Sequence, residues 1–343
     1  MLLLLVILMV IGAIFHWNSL VDKQASEKAY SSFKIKSPKN IGDDNYDSIF
    51  KEMQQMLSDM NKKEKHSNDK LNIKQYYSLD PNGPTPTILM SLGRSGSGST
   101  WQIMGNLTGH ETPSTEYTGS STRKSEQFFE KVGTEDEGAW LIEYLSYLQR
   151  KYATSGIVGF KWKPYSTIFS EPAMDALHVM SNSVNPTIRV VRLRRNLLDV
   201  VISRSKHSIY DVRSHCIVGD TECLKQHSEA AMAGVELHTK NLLRQLEQLS
   251  RLEDAVDQLL VKFNILHVHV SFENLYMSNH DNVSEWLKLL QFLDVGEKQL
   301  TKEQLIQSMR HVGTSNTKQS DTINNIEDVR NTLYGTKFEN LLH

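Results

Sequence analysis

A short apolar run that leads into a glycine- and serine-rich turn constrains the fold of this chain more than any other feature. Residues 87–92 predict a buried strand, and residues 101–107 predict a helix that follows the turn directly. Three glycines in the turn, Gly93, Gly96 and Gly98, let the backbone adopt open conformations and approach a ligand closely. Successive N–H groups then converge on an anion at the positive end of the helix. This order of elements predicts a phosphate-binding loop and disfavours a flexible linker, because an apolar strand adjoins the turn.

The loop departs from the usual nucleotide-binding pattern at one position. Residues 93–100 fit G-x-x-x-x-G-K-[ST] except that Ser99 replaces the lysine. Nucleotide hydrolases and kinases use that lysine on the transferring phosphate. The nearest cation is Arg94, at the other end of the loop. The sequence therefore indicates phosphate binding firmly and ATP hydrolysis poorly.

Charge and cysteine content exclude several function classes. The 343 residues carry a formal net charge of −2, and the pI is about 6.7, so we expect no nucleic-acid partner. Two cysteines are too few for a disulfide scaffold or a thiolate zinc site. The histidines His207, His215 and His227 do not have ligand spacing, so we expect no metal.

The N-terminal part of the chain differs from the rest in composition. Residues 1–18 are almost wholly apolar, which we interpret as a transmembrane signal anchor, with a cleaved signal peptide as the alternative. Residues 19–84 are polar and rich in lysine, serine and asparagine, which predicts a stem or linker with one short amphipathic helix. Pro81 and Pro84 end that stem. We therefore expect the folded domain over residues 85–343.

Strand-like and helical segments alternate along that domain. Apolar runs predict four strands, at residues 87–92, 156–162, 187–193 and 264–270. Helices are predicted around them, at residues 101–107, 126–131, 137–152, 170–180, 196–206, 223–260 and 283–293. This alternation implies an α/β fold with a central parallel sheet and helices on both faces. In such a fold the ligand lies at the carboxyl ends of the strands.

The third predicted strand ends in a run of arginines that forms a candidate second anion site. Arg195 lies at its carboxyl end, and Ser203 lies eight residues later on the next helix. An arginine and a serine placed in this way can clamp a phosphate. By themselves Arg192, Arg194 and Arg195 would be interpreted as solvated charges at a strand end. Beside a phosphate loop on a neighbouring strand, they predict a second phosphate site.

The two motifs together resemble those of the sulfotransferase superfamily, whose sulfuryl donor is 3′-phosphoadenosine 5′-phosphosulfate (PAPS). Residues 94–101 are similar to the 5′-phosphosulfate loop of that family, and residues 195–203 are similar to its 3′-phosphate motif. Residues 269–276 and the helix around Trp286 resemble its late strand–helix unit. Arg94 and the apolar N-terminus resemble the membrane-bound carbohydrate and tyrosyl-protein enzymes more than the cytosolic ones. The resemblance implies a P-loop sulfotransferase fold over about residues 86–340.

The resemblance also implies a role for each residue of the two motifs. Arg195 and Ser203 would bind the 3′-phosphate of PAPS, and Arg94 would neutralise the leaving 5′-phosphate. No metal is needed for this transfer. The residues of the loop that would bind the donor are Arg94, Ser95, Gly96, Ser97, Gly98, Ser99, Thr100 and Trp101. For Trp101, packing in the core is the alternative to a position near the adenine.

The acceptor hydroxyl needs a base. Cytosolic relatives carry a histidine in a Lys-x-His segment, which reads Lys161-Trp162-Lys163 here, so Lys163 suits charge stabilisation on the sulfuryl oxygens better than proton transfer. Many membrane-bound relatives use a glutamate shortly after the loop helix. Glu116 lies at about that distance from Arg94, and a carboxylate can take the proton late in the transfer. His110 and Glu111 are the alternatives.

The resemblance implies an activity and a location. We expect in-line sulfuryl transfer from PAPS to a hydroxyl acceptor, a glycan or another alcohol or small molecule. The protein would be single-pass in the Golgi membrane with a luminal catalytic domain, or secreted. A P-loop kinase that acts on a small molecule and an inactive nucleotide-binding membrane adaptor are the alternatives. The missing lysine argues against the kinase.

A luminal location gives meaning to several other residues. Cys216 and Cys223 are close enough in sequence to close a small disulfide loop in an oxidising compartment. Of the two glycosylation sequons, we expect the one at Asn106 to be inaccessible behind the loop and the one at Asn282 to be the better candidate. The resemblance also points to a late basic segment between Arg310 and Lys318 as a cover over the adenosine end of the donor.

Overall fold

A computed structural model of the chain describes only part of the sequence. The described residues are 54–55, 79–108, 137–152, 156–163, 171–182, 187–210, 221–277, 282–294, 301–310 and 318–342. The predicted anchor at residues 1–18, most of the predicted stem and the predicted helix at residues 126–131 lie outside them. Within those ranges, none of the helices has the length and apolar character that crossing a membrane requires.

Four parallel strands form a sheet at the centre of the described chain. They are β1 (Thr85–Ser91), β2 (Ile157–Trp162), β3 (Arg189–Arg194) and β4 (His267–Ser271). Their order is β2-β1-β3-β4, so β1 and β3 are neighbours at the middle of the sheet. In the register, Leu89 of β1 lies opposite Lys161 of β2 and Val191 of β3. The predicted α/β class with a parallel sheet is confirmed, and each strand lies within a few residues of its predicted position.

Helices separate the strands and follow the last one. Their bounds in chain order are α1 (Ser97–Thr108), α2 (Glu137–Lys151), α3 (Glu171–Asn182), α4 (Leu197–Tyr210), α5 (Thr221–Met232), α6 (Thr239–Lys262), α7 (Phe272–Tyr276), α8 (Asn282–Phe292), α9 (Lys302–Arg310), α10 (Gln319–Thr322) and α11 (Ile326–Leu333). A short 3₁₀ turn, Glu339–Leu341, follows α11.

The segment predicted as one long helix, residues 223–260, forms two helices, α5 and α6. Between them the Val235 N–H donates to the Thr322 carbonyl (2.8 Å), and the Val235 carbonyl accepts the Asn324 N–H (2.9 Å). A Cβ on Gly234 would meet Asn324 Oδ1 at 2.0 Å. Glycine in a helix interior costs about 1 kcal/mol relative to alanine. The prediction was wrong because pairing with a distant segment replaces the helical hydrogen bonds at this glycine.

The two faces of the sheet bury two separate hydrophobic clusters, because successive side chains of a strand point to opposite faces. On the first face, Ile88 and Val190 belong to a cluster that includes side chains of α2, α3, α4 and α6. On the second face, Leu89 and Val191 belong to a cluster that includes side chains of α1, α8 and α9. Helices therefore cover both faces, which a parallel sheet with apolar strands requires.

The carboxyl edge of the sheet brings together the segments that leave three strands. Residues 92–96 connect β1 to α1, and we name them the β1–α1 loop. Arg195 and Asn196 connect β3 to α4, and we name them the β3–α4 turn. The chain passes from β4 into α7 without an intervening loop. Since β1, β3 and β4 are consecutive in the sheet, these three connections are neighbours.

Candidate phosphate-binding site

The β1–α1 loop turns through two residues in the left-handed region of backbone space. Arg94 has φ of 71° and Gly96 has φ of 80°. Between them, the Ser95 N–H donates to the Leu92 carbonyl at 3.3 Å. A non-glycine residue in this conformation costs about 1–3 kcal/mol and is retained where its surroundings impose it. The conformation of Arg94 is therefore set by the contacts described below.

The start of α1 presents backbone donors at the carboxyl edge of the sheet. Its first helical hydrogen bond runs from the Thr100 N–H to the Gly96 carbonyl at 3.0 Å. The N–H groups of Ser97, Gly98 and Ser99 come before that bond, so they have no acceptor within the helix. A helix N-terminus with such donors attracts an anion.

Buried hydroxyl groups line the same loop. Ser91 Oγ and Ser95 Oγ are buried and have no hydrogen-bond partner among the described residues. The Thr100 hydroxyl is satisfied, because it bonds the Gly96 carbonyl (3.1 Å) and the Tyr276 hydroxyl (3.0 Å). Burying a polar group without a partner costs about 1–3 kcal/mol. An anion with several oxygens would supply the acceptor that these groups lack.

The β3–α4 turn contacts the β1–α1 loop directly. Arg94 Nε donates to Ser203 Oγ at 3.3 Å. Arg195 Nη1 donates to the Arg94 carbonyl at 3.1 Å. Three residues chosen from two separate sequence motifs are thereby joined in a single cluster, which we call the paired-arginine site (Arg94, Arg195 and Ser203).

The guanidinium of Arg195 is held in a partly buried position. It stacks on the Phe272 ring, 4.4 Å from the ring centroid. Burial lowers the pKa of Arg195 below its ordinary value, and the Asp199 and Glu273 carboxylates oppose that change. Its Nε is buried and has no partner among the described residues. Arginine keeps its charge in proteins, so the site carries an incompletely paired cation.

The short helix α7 braces both connections, and sequence reasoning missed this role. A Cβ on Gly96 would meet the Phe272 ring at 2.4 Å, so the loop backbone lies directly on that ring. Glu273 Oε1 accepts the Asn196 N–H at 2.8 Å. The helix begins at a serine cap, since Ser271 Oγ accepts the Asn274 N–H at 3.0 Å. Ser271 is a residue type that commonly caps a helix start, but the contacts of the α7 side chains with two distant loops carry no local sequence signal.

The neighbouring arginines of β3, Arg192 and Arg194, form ion pairs with α6, so of the three arginines only Arg195 remains for the predicted second phosphate site. Arg192 is fully buried on the first face of the sheet and forms ion pairs with Glu253 and, at 2.8 Å, with Asp257 of α6. Arg194 also forms an ion pair with Asp257. Burial raises the pKa of Glu253, and the two arginines offset part of that effect. Helix α6 thus neutralises Arg192 and Arg194, while Arg195 contacts the β1–α1 loop.

The remaining predicted donor residues differ in exposure. Ser97 is buried, whereas Gly98 and Ser99 are half-buried at the start of α1. Trp101 is fully buried in the cluster on the second face, so its side chain occupies the core position that was the alternative to adenine contact. Lys163 is half-buried and follows β2 directly at the carboxyl edge of the sheet.

Other predicted residues lie outside the described chain or need correction. Glu116, His110, Glu111 and Cys216 lie outside the described residues, as do the side chains of Cys223 and Arg310. Lys318 precedes α10 directly. Asn106 is exposed on α1, so the expectation that it is inaccessible was wrong: it lies on the face of the helix that points away from the sheet. Asn282 opens α8, as predicted for a position before a helix.

Two further findings bear on the site. No cluster of three or more histidine, cysteine, aspartate or glutamate side chains suited to a metal occurs within the described ranges. No protein-family model matches this sequence, and no curated protein matches it. The function must therefore be argued from the site itself.

Proposed function

We propose that this chain is a PAPS-dependent sulfotransferase that transfers a sulfuryl group to a hydroxyl acceptor. The observation that carries the proposal is the direct contact between two anion-binding elements, in which Arg94 donates to Ser203 (3.3 Å) and Arg195 donates to the Arg94 carbonyl (3.1 Å). PAPS carries phosphate groups on the 3′ and 5′ positions of one nucleoside. A protein that binds it needs two anion sites close together, and paired arginines and helix N-termini suit phosphate oxygens.

The residues around the paired-arginine site fit such a ligand. Ser95 Oγ and Arg195 Nε are buried and without partners among the described residues, and both can donate to phosphate oxygens. The amides of Ser97, Gly98 and Ser99 add three donors at the start of α1. Ser99 in place of the lysine leaves no cation for the transferring phosphate of ATP at that position. These features favour a phosphosulfate donor over a nucleoside triphosphate.

In the reaction, the protein would bind the donor, orient it and neutralise its charge. PAPS supplies the activated sulfuryl group. Arg94 and the α1 amides would stabilise the negative charge that develops on the 5′-phosphate, and a single donor of this kind contributes about 3 kcal/mol in other enzymes. Arg195 and Ser203 would hold the 3′-phosphate. Lys163, at the end of β2, would contact the sulfuryl oxygens.

The proposal includes assignments that rest on the sequence alone. Glu116 would take the proton of the acceptor hydroxyl, which we take to be on a glycan or another alcohol. The finer fold would be that of the P-loop sulfotransferases. An anchor at residues 1–18 and a stem to residue 84 would hold the catalytic domain in the Golgi lumen.

Nucleotide binding tests the donor assignment. We expect isothermal titration calorimetry to show tighter binding of 3′,5′-ADP than of ADP or ATP. Ser203→Ala should weaken 3′,5′-ADP and leave adenosine 5′-phosphate (AMP) almost unchanged. Ser205→Ala is the matched control, because a residue two positions along a helix lies on a different side. A wild-type preference for ATP would overturn the proposal in favour of a kinase.

Sulfuryl transfer tests the activity. We expect transfer of label from PAPS to at least one acceptor in a screen of glycans, tyrosine peptides, sterols and small alcohols. Glu116→Gln should abolish most of that turnover while 3′,5′-ADP binding is kept. Turnover within a few-fold of the wild-type rate would refute the role of Glu116. Tight 3′,5′-ADP binding without transfer to any acceptor would favour an inactive nucleotide-binding protein.

A further inference from the structure

A buried glutamine connects α10 to the first turn of α4. Gln319 Nε2 donates to Asp199 Oδ1 at 2.8 Å and to the Leu341 carbonyl at 3.0 Å. Asn196 Nδ2 donates to the same carbonyl at 2.8 Å. Gln319 and Asp199 are only 4% and 9% exposed, so water competes little for these bonds. We call this group of four residues the glutamine clasp.

The clasp lies directly behind the β3–α4 turn. Asn196 follows Arg195 in the sequence and caps α4, since its Oδ1 accepts the Leu198 N–H at 2.9 Å. Asp199 lies in the first turn of the same helix. A change in the clasp therefore acts on the segment that carries Arg195.

Two carboxylates face Arg195, and each is bonded to another group. Asp199 and Glu273 both exert charge on the guanidinium. Asp199 is bonded to Gln319, and Glu273 accepts the Asn196 N–H at 2.8 Å. Within the described chain, no ion pair of 4.0 Å or less joins Arg195 to either carboxylate. The guanidinium thus stays close to two anions without forming an ion pair.

The alternative arrangement is a direct ion pair between Arg195 and Asp199. Carboxylate and guanidinium pair readily when no other donor holds the carboxylate. Such a pair would occupy the Arg195 donors that are otherwise available to a ligand. It would also bring a negative charge toward the position of a bound phosphate.

We propose that Gln319 is a positioning residue for donor selectivity, because by holding Asp199 it leaves Arg195 available to the 3′-phosphate of the donor. This inference rests on the proposed function. The effect of Gln319 would concern only the 3′ end of the ligand. Changing Gln319 should therefore alter the preference for 3′,5′-ADP over AMP. This preference is a ratio of dissociation constants, which a general loss of stability does not alter.

The test compares that ratio of dissociation constants, measured by calorimetry on the full chain, in four variants. Gln319→Ala should reduce the preference at least about tenfold, the size expected when a charge-assisted bond is lost. Asp199→Asn removes the competing charge and keeps an acceptor, so it should retain the preference. The double variant should regain most of the preference that Gln319→Ala loses. Thr322→Ala is the matched control, because Thr322 is equally buried in α10 and its hydroxyl donates to the local Lys318 carbonyl at 3.0 Å.

The outcomes separate the inference from the proposed function. If the wild-type chain shows no preference for 3′,5′-ADP, the proposed function fails and the inference fails with it. If the wild-type chain shows the preference and Gln319→Ala keeps it, only the inference is overturned. Failure of Asp199→Asn to restore the ratio in the double variant also overturns it. If Gln319→Ala does not fold, Gln319→Met replaces it in the test, because methionine has a similar volume and preserves the packing. Gln319→Met should show the same loss of preference, and a retained preference would overturn the inference.

Discussion

Gly96 offers the sharpest test of how the β1–α1 loop is held. Its φ of 80° lies in the left-handed region, and a Cβ would meet two carbons of the Phe272 ring at 2.4 and 2.5 Å. The ring cannot move away easily, because Arg195 lies over it at 4.4 Å and the Tyr276 ring packs against it at 4.5 Å. Gly96→Ala must therefore displace the β1–α1 loop or helix α7, which carries Phe272.

The size of the effect follows from two separate contributions. The left-handed conformation costs an alanine about 1–2 kcal/mol, of which the lower entropy of the unfolded chain returns about 0.4–1 kcal/mol. The overlap with the ring adds the cost of overpacking, about 1–3 kcal/mol. We therefore expect Gly96→Ala to lower the free energy of unfolding by about 1–5 kcal/mol.

Gly335→Ala is the matched control, because it isolates the backbone contribution. Gly335 has φ of 69°, and a Cβ there would meet nothing within 4 Å. Urea denaturation of Gly335→Ala should show a loss of about 0–1.6 kcal/mol, smaller than the loss in Gly96→Ala. Equal losses for the two variants would show that the Phe272 contact is not rigid and would refute the reasoning. A second readout, 3′,5′-ADP affinity, should fall in Gly96→Ala alone.

Two other perturbations test the charged surroundings of β3. Glu253→Gln should destabilise the fold by about 2–4 kcal/mol in urea denaturation, since it leaves the buried Arg192 with the Asp257 carboxylate as its ion-pair partner. Glu247→Gln, on the exposed side of the same helix, should cost less than about 1 kcal/mol although it also removes ion pairs, and similar losses at both positions would contradict the argument. His269 of β4 is exposed but partly desolvated, and this partial burial, followed by the charges of His267, Arg194 and Arg192, lowers its pKa from 6.5 to about 4. The unfolded chain therefore takes up this proton first, stability falls as the pH drops from about 6.5 to about 4, and His269→Gln should flatten that part of the pH profile.

The sequence contained enough information to predict the sheet and to bring two motifs together. Apolar runs located the strands, and the phosphate loop and the arginine motif both follow strands, so both had to lie at the carboxyl edge. The sequence did not predict that β1 and β3 are adjacent in the sheet. That adjacency makes the contact between Arg94 and Ser203 possible.

Some features left unresolved by the prediction did have a sequence signal. Alternation along β3 places Arg192 and Arg194 on one face and Leu193 and Arg195 on the other. Glu253 and Asp257 are four residues apart on a helix, which places both carboxylates on one side. Together these spacings favour ion pairs between the arginines and the helix carboxylates over solvated arginines. They do not say which helix packs on that face.

Other features depend on contacts between distant segments and carry no local signal. The brace formed by Phe272 and Glu273 joins residues that are more than 70 positions apart from their partners. Gln319 and Asp199 are 120 positions apart. The break at Gly234 arises in the same way, because the segment that replaces its helical bonds lies almost 90 residues later. Local propensity and periodicity cannot report such pairings.

Under the proposed function, the arrangement of the two arginines would favour a ligand with two phosphates over a ligand with one. Arg94 adopts a left-handed backbone conformation, and its carbonyl accepts a bond from Arg195, so the β1–α1 loop and the β3–α4 turn are joined before any ligand binds. The contacts of α7 fix Arg195 on Phe272 and the β3–α4 turn on Glu273. Because the site is already assembled, an anion would bind without the cost of ordering it. A single phosphate would contact one of the two elements, whereas a 3′,5′-bisphosphorylated nucleoside would contact both. Selection for the 3′-phosphate would then follow from the brace and the glutamine clasp as much as from Arg195 itself.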